Sequence, residues 1–273
     1  MSKYNVSNLR IDPKVFQHPA DKLITGKIKS SGAFAKMLEF ISKNSLERTL
    51  YSMYLASEAH ITESNAPDLI AMCREAAEMF GCPKAPELFL TRSYDMFARI
   101  QGLETPVILL STEMVNNLSD EACFGAIASC VSGMMTGYSE ISMIRWLLER
   151  VGWMLPAGTA DTLNALIDQW TKVAQYSFDR ATLLATGDLN KAMECILGGE
   201  MPPDVLRSID FTDPNCGYMQ QCRDFLDNQG KVMGLLRSAE AIMGKGAMYA
   251  SRYIELFNFY QNEYEDLVEE YEL

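Results

Sequence analysis

The sequence predicts an α+β fold that is predominantly α-helical. Apolar residues recur at helical spacing before residue 86 and again from Asn117 onward. Between residues 86 and 112 the spacing changes to short apolar and β-branched runs, which are typical of strands. No repeat, low-complexity run or long linker divides the chain, so we expect a single domain over residues 1–273.

The helix predicted within residues 64–83 has the clearest start and stop signals. Ser64 or Asn65 is expected to cap it, Pro67 lies in its first turn, and Gly81 followed by Pro83 ends it. These signals predict an amphipathic helix that packs on the core.

The segment that follows predicts a small sheet of two or three strands. Its candidate strands are "ELFLT", "MFARIQ" and "PVILLS", and the pieces between them, "RSYD" and "GLET", suit turns.

Long helices are predicted after the sheet. One helix is expected to end at Gly137, and the long segment 159–187 is expected to end at Gly187, after which Asp188 caps the next helix. Two further helices are expected at about 217–243 and 246–270.

Charge and composition exclude some functions. The net charge is -12, which would repel phosphate backbones, so nucleic acid is not an expected partner. Much of this charge lies in the acidic C-terminal end, about 262–273, which is expected to be a solvated helix end; a docking tail for a basic partner is the alternative.

No segment resembles a signal peptide or approaches the roughly 20 uninterrupted apolar residues of a membrane span. We therefore expect a cytoplasmic protein without a membrane span. The seven cysteines form no C-x-x-C pair and are expected to be reduced and mostly buried. A regulatory disulfide between Cys216 and Cys222 is the alternative.

Histidine is scarce, which limits the available chemistry. The phosphate-binding, nucleophile-elbow and His-Glu-x-x-His motifs are absent. Only His18 and His60 could act as the base that activates a serine or cysteine nucleophile. His18 precedes a proline at a helix start and is expected to cap or pack. His60 is expected to be solvent-exposed on the polar side of a helix end.

Four segments in order resemble one family over nearly the whole chain. They are "FQHPAD", "PELFLTRSYDMFARIQGLETPVILLSTEMVNNLSDEACFGAIA", "AQYSFDRATLLATGD" and "AMYASRYIELFNFY". Together they are similar to the HtpX and CAAX-prenyl-protease type of zinc metallopeptidases, in particular the soluble bacterial members. The resemblance implies a metallopeptidase-like, zincin or gluzincin-type domain.

The chain departs from that family where the family binds zinc. The first histidine of the family's His-Glu-x-x-His falls at Ser129, the glutamate at Cys130 and the second histidine at Gly133, in a register set by Gly137. The glutamate ligand of the later helix falls at Gln175.

The resemblance therefore implies a lost zinc site. A catalytic zinc site needs three protein ligands and a water, and the metal lowers the pKa of that water to about 7. We expect no zinc, no other cofactor and no hydrolysis by the family mechanism. Asp179 and Arg180 match the family's Asp-Arg pair, and Asp179 is expected to be structural, paired with an arginine or capping a backbone group.

A rebuilt site is the alternative that the residues leave open. Cys130 could act as a thiol nucleophile, or bind a metal together with Asp179 or Glu140, but a buried small residue is the expected role. Five methionines could line an adaptable peptide groove, although a generic core is expected instead; they are Met96, Met114, Met134, Met135 and Met143.

Three functional hypotheses follow. The first is a catalytically inactive metallopeptidase homologue that binds a protein or peptide, for which the "MFARIQ" strand could add an extended peptide to the sheet edge. The second is an active peptidase or hydrolase with a rebuilt or displaced site. The third is a structural subunit whose cleft is filled by its own side chains.

Overall fold

The computed structural model describes residues 10–152, 159–232 and 246–272. Helices α1 to α4 (Pro13–Phe16, Pro19–Lys29, Gly32–Lys43 and Leu46–Ser57) come first. Strand β1 (Ala59–Ile61), helix α5 (Pro67–Met79) and strands β2 to β4 (Glu87–Thr91, Ala98–Gln101 and Val107–Ser111) follow. The predicted class, mostly helical α+β with a small sheet, is confirmed.

The remaining elements are helical. Helices α6 to α9 are Thr112–Asn117, Asp120–Thr136, Tyr138–Val151 and Thr159–Thr186. Helices α10 to α13 are Leu189–Leu197, Pro203–Arg207, Gly217–Val232 and Gly246–Phe259. A π-helical turn, Tyr260–Tyr264, leads into α14, Glu265–Tyr271. Residues 233–243 of the helix predicted at 217–243 lie outside the described residues.

The sheet has four strands in the order β1-β2-β4-β3, so the predicted number of two or three is wrong. Strands β2 and β4 are parallel, and the edge strands β1 and β3 are antiparallel to their neighbours. The strand missed by prediction, β1, is three residues long. Its extended form depends on pairing with β2, a contact between segments about 30 residues apart that local spacing does not reveal.

Glycines end three helices as predicted. Gly81, Gly137 and Gly187 all have positive φ, the left-handed conformation that favours glycine at a helix C-terminus. Asp188 caps α10 by accepting a hydrogen bond from the Asn190 N–H at 2.7 Å, which confirms its predicted role.

The predicted cap of α5 is wrong. The N-cap residue is Ala66, whose side chain makes no cap hydrogen bond. The Asn65 side chain instead accepts from the Thr62 N–H at 2.7 Å and donates to the His60 carbonyl at 2.8 Å. Asn65 therefore stabilises the turn that leaves β1.

Helix α9 runs through both large hydrophobic cores. Its first half contributes Leu163, Ile167 and Trp170 to a core shared with α2, α3 and α8. Its second half contributes Ala181 and Leu184 to a core that covers one face of the sheet and includes α5, α7 and α10. The 28-residue length of α9 thus joins the two cores.

Helices α7 and α9 approach closely because α7 presents small residues at four-residue spacing, Gly125, Ser129 and Gly133. A Cβ atom added at Gly125 would lie 2.7 Å from the Thr186 methyl and 2.9 Å from the Thr182 methyl. The absence of a side chain at Gly125 permits this contact.

The start of α7 is held by a buried carboxylate on α10. Glu194 accepts hydrogen bonds from the backbone N–H and the hydroxyl of Ser119, both at 2.8 Å, and from Arg207 at 2.7 Å. Burial opposes ionisation, but these donors lower the pKa of Glu194 overall. Ser119 is the N-cap of α7, so Glu194 ties the two helices together.

Within the part of the chain that the structure describes, no helix combines the length and the apolar character that crossing a membrane requires.

We predict that Gly125→Ala lowers the free energy of unfolding by about 1–3 kcal/mol, because the new methyl meets Thr182 and Thr186. Gly26→Ala is the matched control, since no atom lies within 4 Å of a Cβ there; it should stabilise by up to about 1 kcal/mol. Urea unfolding of both variants measures the contrast, and equal effects at the two sites would contradict the packing described.

We also predict that Glu194→Gln lowers the free energy of unfolding at pH 7 by about 3 kcal/mol. The folded-state pKa is lowered from an ordinary value of 4.5, so the carboxylate stabilises the protein above that pH. The stabilisation is lost as the pH falls through the lowered pKa. The difference between the two proteins should therefore narrow below about pH 4.5.

Urea unfolding at several pH values checks this, with the exposed Asp204→Asn on α11 as control. A wild-type advantage that persists unchanged at the lowest pH would be inconsistent with the role assigned to Glu194.

Candidate functional site

The structure brings the predicted site residues onto two helices in direct contact. Ser129, Cys130 and Gly133 lie on α7, and Gln175 and Asp179 lie on α9. Ser129 and Gln175 are half-buried, and the other three residues are buried. The chemistry available at each position depends on what its side chain contacts.

The Ser129 hydroxyl is engaged within its own helix. It donates to the Ala126 carbonyl at 2.8 Å, one turn earlier. The Ser129 carbonyl accepts from the Ser132 hydroxyl at 2.7 Å. Such back-bonding satisfies hydroxyl groups inside helices, and it provides no base that would activate Ser129 as a nucleophile.

The space beside Gly133 is filled by side chains. A Cβ atom at this position would lie 3.2 Å from the Phe178 ring and 3.3 Å from the Ile100 side chain. Any ligand side chain here would have to displace both. Since Gly133 has no side-chain ligand atom and a neutral serine hydroxyl is not one of the usual zinc ligands, these residues do not fit a zinc ion.

Among the described residues, no group of three histidine, cysteine, aspartate or glutamate side chains is arranged to hold a metal.

Cys130 is buried among other thiols. Burial raises the pKa of Cys130, and the neighbouring Cys195 and Cys73 act in the same direction. A thiol with a raised pKa stays protonated and is a poor nucleophile at neutral pH. This environment agrees with the expected buried role. Cys216 and Cys222 are free thiols, so the alternative of a disulfide between them is not realised here.

Asp179 pairs with an arginine, as predicted. Arg252 on α13 donates to both carboxylate oxygens, at 2.8 Å and 2.6 Å. Both side chains are largely buried. Burial raises the pKa of Asp179 while Arg252 opposes the rise, and the carboxylate in turn raises the pKa of Arg252.

The identity of the partner, 73 residues along the chain, was not predicted. Arg252 is the arginine of the "AMYASRYIELFNFY" segment, so that segment was the sequence signal that could have identified the partner.

Arg180, the next residue, points to a different neighbour. Its guanidinium stacks over the Phe259 ring at 4.4 Å and lies 3.9 Å from Glu263 in the π-helical turn. Burial lowers its pKa, opposed by Glu263. The Arg180 Nε has no hydrogen-bond partner among the described residues. Asp179 and Arg180 thus contact two different parts of the C-terminal helical segment. Asp179 binds Arg252 of α13, and Arg180 contacts Phe259 and Glu263.

His18 caps α2, as predicted. Its Nδ1 accepts from the Ala20 N–H at 3.2 Å, and its Nε2 lies 3.4 Å from Glu255. Burial and the nearby Arg180 lower its pKa. Because Nδ1 accepts a hydrogen bond from a backbone N–H, His18 serves as the cap of α2.

A buried serine and aspartate join α2 to α9; they lie in the segments "AQYSFDRATLLATGD" and "FQHPAD", but the sequence assigned them no role. Ser177 donates to Asp21 at 2.6 Å and accepts from the His18 backbone N–H at 2.9 Å. Asp21 also accepts from Thr25 at 2.9 Å. The His18 contact with Ser177 is made by the backbone, so the three residues do not form a nucleophile and base pair.

His60 does not lie at a helix end, so that prediction is wrong. It is in β1, where its ring stacks on Phe89 with a 4.7 Å centroid separation and its Nε2 lies 3.1 Å from Glu87. Cross-strand contact with β2 partly buries the ring. This burial could not be predicted without knowing that β1 pairs with β2.

The methionines do not line one groove. Met114 and Met143 belong to different cores, and Met135 is 41% exposed. Met96 packs against Gly198, whose added Cβ would lie 3.0 Å from the Met96 methyl. Met134 lines a shallow groove beside Leu103 and Pro106. The five methionines thus occupy several separate packing sites.

Strand β3 forms one edge of the sheet beside α7. The Ser111 N–H donates to the Phe97 carbonyl, so Phe97 and Ser111 are a hydrogen-bonded pair. Hydrogen-bonded and non-hydrogen-bonded pairs alternate along an antiparallel ladder. By this alternation Arg99 and Gln101 bond to β4, and the N–H and C=O groups of Ala98 and Ile100 face outward. Ala98 is half-buried, whereas Ile100 is 3% exposed and packs beside Gly133 of α7, so Ala98 is the more accessible of the two.

No family model, curated protein or solved structure matches the chain. The likeness to zinc metallopeptidases therefore rests on the sequence segments that carry it.

We predict that Asp179→Leu and Arg252→Met each lower the free energy of unfolding by about 3–5 kcal/mol, because each leaves a buried charge without its partner. The double variant should lose much less than the sum of the two. A double-mutant cycle by chemical denaturation measures this coupling, and additive effects would contradict the ion pair.

Proposed function

We propose that the protein is a catalytically inactive metallopeptidase homologue that binds an extended polypeptide along the edge of strand β3. The single observation that carries the proposal is the outward-facing backbone of the half-buried Ala98 at the start of β3, next to α7, the helix that bears the degenerate motif. An extended chain that adds to such an edge gains main-chain hydrogen bonds.

The contacts of the site residues support the inactive part of the proposal. Gly133 is packed against Phe178, Ser129 donates within its helix, and the Cys130 thiol is buried with a raised pKa. These three positions match the family's two histidines and its glutamate, and none of them offers an activated group.

The proposal has further parts that come from the sequence. We propose that the protein is a single domain over residues 1–273, binds no zinc, is cytoplasmic and has a protein or peptide partner. Zinc content of protein purified without added metal tests one of them; stoichiometric zinc that is lost on substitution of Gln175 or Cys130 would count against it.

One contact favours a second candidate, a purely structural subunit. Phe178 and Ile100 occupy the space beside Gly133, where a peptidase would place its metal. The two candidates differ in whether the free edge of β3 accepts a peptide, so binding to that edge separates them.

We predict that Ala98→Pro weakens peptide binding about tenfold and changes the free energy of unfolding by less than about 1 kcal/mol. Proline removes the outward N–H of residue 98 and leaves the ladder to β4 in place, since that N–H does not take part in it. Fluorescence anisotropy with a library of unstructured peptides measures the affinity.

Arg99→Ala is the matched control, because it alters an exposed side chain and keeps every backbone donor of the strand. Binding unaffected by Ala98→Pro would exclude this edge, and a wild-type protein that binds no peptide of the library would favour the structural candidate.

A further inference from the structure

The start of α2 is capped by an imidazole ring that can cap it only in its neutral form. The His18 Nδ1 accepts a hydrogen bond from the Ala20 backbone N–H at 3.2 Å. Since a backbone N–H can only donate, Nδ1 carries no proton. A neutral imidazole has one protonated nitrogen, so the proton of His18 lies on Nε2.

The protonated nitrogen joins α2 to the C-terminal part of the chain. His18 Nε2 lies 3.4 Å from the Glu255 carboxylate on α13. The ring also packs beside Tyr176 of α9 with a centroid separation of 5.1 Å, and the side chain is 16% exposed. One ring therefore caps α2 and contacts both α9 and α13.

Charged groups from three helices face this ring. Burial lowers the pKa of His18 from its ordinary value of 6.5, and the positive charge of Arg180 on α9 adds to this effect. Glu255 on α13 and Asp21 on α2 oppose the shift without reversing it. The neutral ring is therefore the form present at pH 7.

Arg180 holds its positive charge in the protein interior. The residue is 8% exposed, and the Glu263 carboxylate lies 3.9 Å from its Nη2. A second positive charge on His18 would face this one, and like charges near each other disfavour ionisation.

We infer that His18 is a pH-sensitive switch at the start of α2: the neutral ring caps α2 and ties it to α13, and protonation opens this cap. A proton on Nδ1 would point at the Ala20 N–H, so the protonated ring has to leave the cap. The opening is local, because Ser177 of α9 still binds the His18 backbone N–H and the Asp21 carboxylate. This switch does not depend on the proposed peptide binding.

The direction of the pH dependence follows from the lowered pKa of His18. The unfolded chain takes up the proton near the ordinary value of 6.5, whereas the folded protein takes it up only at lower pH. The stabilisation by the neutral ring is therefore fully present above pH 6.5 and is lost as the pH falls through the lowered pKa of the folded state.

Nuclear magnetic resonance of the nitrogen-15-labelled wild-type protein tests the tautomer, because the chain contains only two histidines. At about pH 7.5 we expect the proton of His18 on Nε2, and the variant His60→Gln assigns the ring signals. A ring protonated on Nδ1 at this pH would overturn the inference.

Hydrogen exchange of the Ala20 amide measures the opening of the cap. After correction for its intrinsic rate, this amide should exchange about fivefold faster once His18 is protonated. His18→Asn is the matched variant, because asparagine caps helices well and does not titrate, and it should show no such change. Asp21 titrates in both proteins and cancels in the comparison. Equal pH dependence in the two proteins would mean that His18 is not the switch.

Neighbouring charges supply a second test. Arg180→Met should raise the titration midpoint of His18, and Glu255→Gln should lower it, since glutamine keeps an acceptor for Nε2 without the negative charge. The exposed Glu269→Gln on α14 is the control and should leave the midpoint unchanged. Because Glu255 is 41% exposed, its variant gives an answer even where Arg180→Met does not fold. A midpoint that Glu255→Gln leaves in place would contradict the switch.

Discussion

The close contact between α7 and α9 is the constraint on which the other parts of the structure depend. Helix α9 passes through both cores, and α7 can lie against it because Gly125 and Gly133 present no side chains. Interiors are packed at nearly crystalline density, so a methyl group added at such a contact must move its neighbours. The small-residue face of α7 is therefore a packing surface first.

Buried polar groups fasten the surrounding elements to this helix pair. The carboxylate of Asp179 holds Arg252 of α13, that of Glu194 holds the cap of α7, and Asp21 joins α2 to Ser177. Each of these carboxylates has at least two hydrogen-bond donors, which is what a buried polar group requires. The result is a framework in which positions 129, 130 and 133 serve packing and helix contacts.

This arrangement supports the proposal that the protein binds a polypeptide and does not cleave it. A peptidase of the resembling family would use α7 to hold a metal beside the sheet edge. Here Phe178 and Ile100 close the place beside Gly133, and what remains next to it is the outer edge of β3, positioned at one end by Ser111 and at the other by Glu47. We propose that an extended chain pairs with this edge at Ala98.

Local signals in the sequence determined the helical class, the central strands, the helix ends at Gly81, Gly137 and Gly187, and the cap at Asp188, because periodicity and backbone preference act over a few residues. Tertiary structure alone decided strand β1, the strand environment of His60, the dispersal of the methionines among separate packing sites, and the pairing of Asp179 with Arg252. It also decided that Glu47 accepts hydrogen bonds from the N–H groups of Leu103, Glu104 and Thr105. Each of these depends on contacts between segments far apart in the chain, and such contacts leave no periodic trace in the sequence.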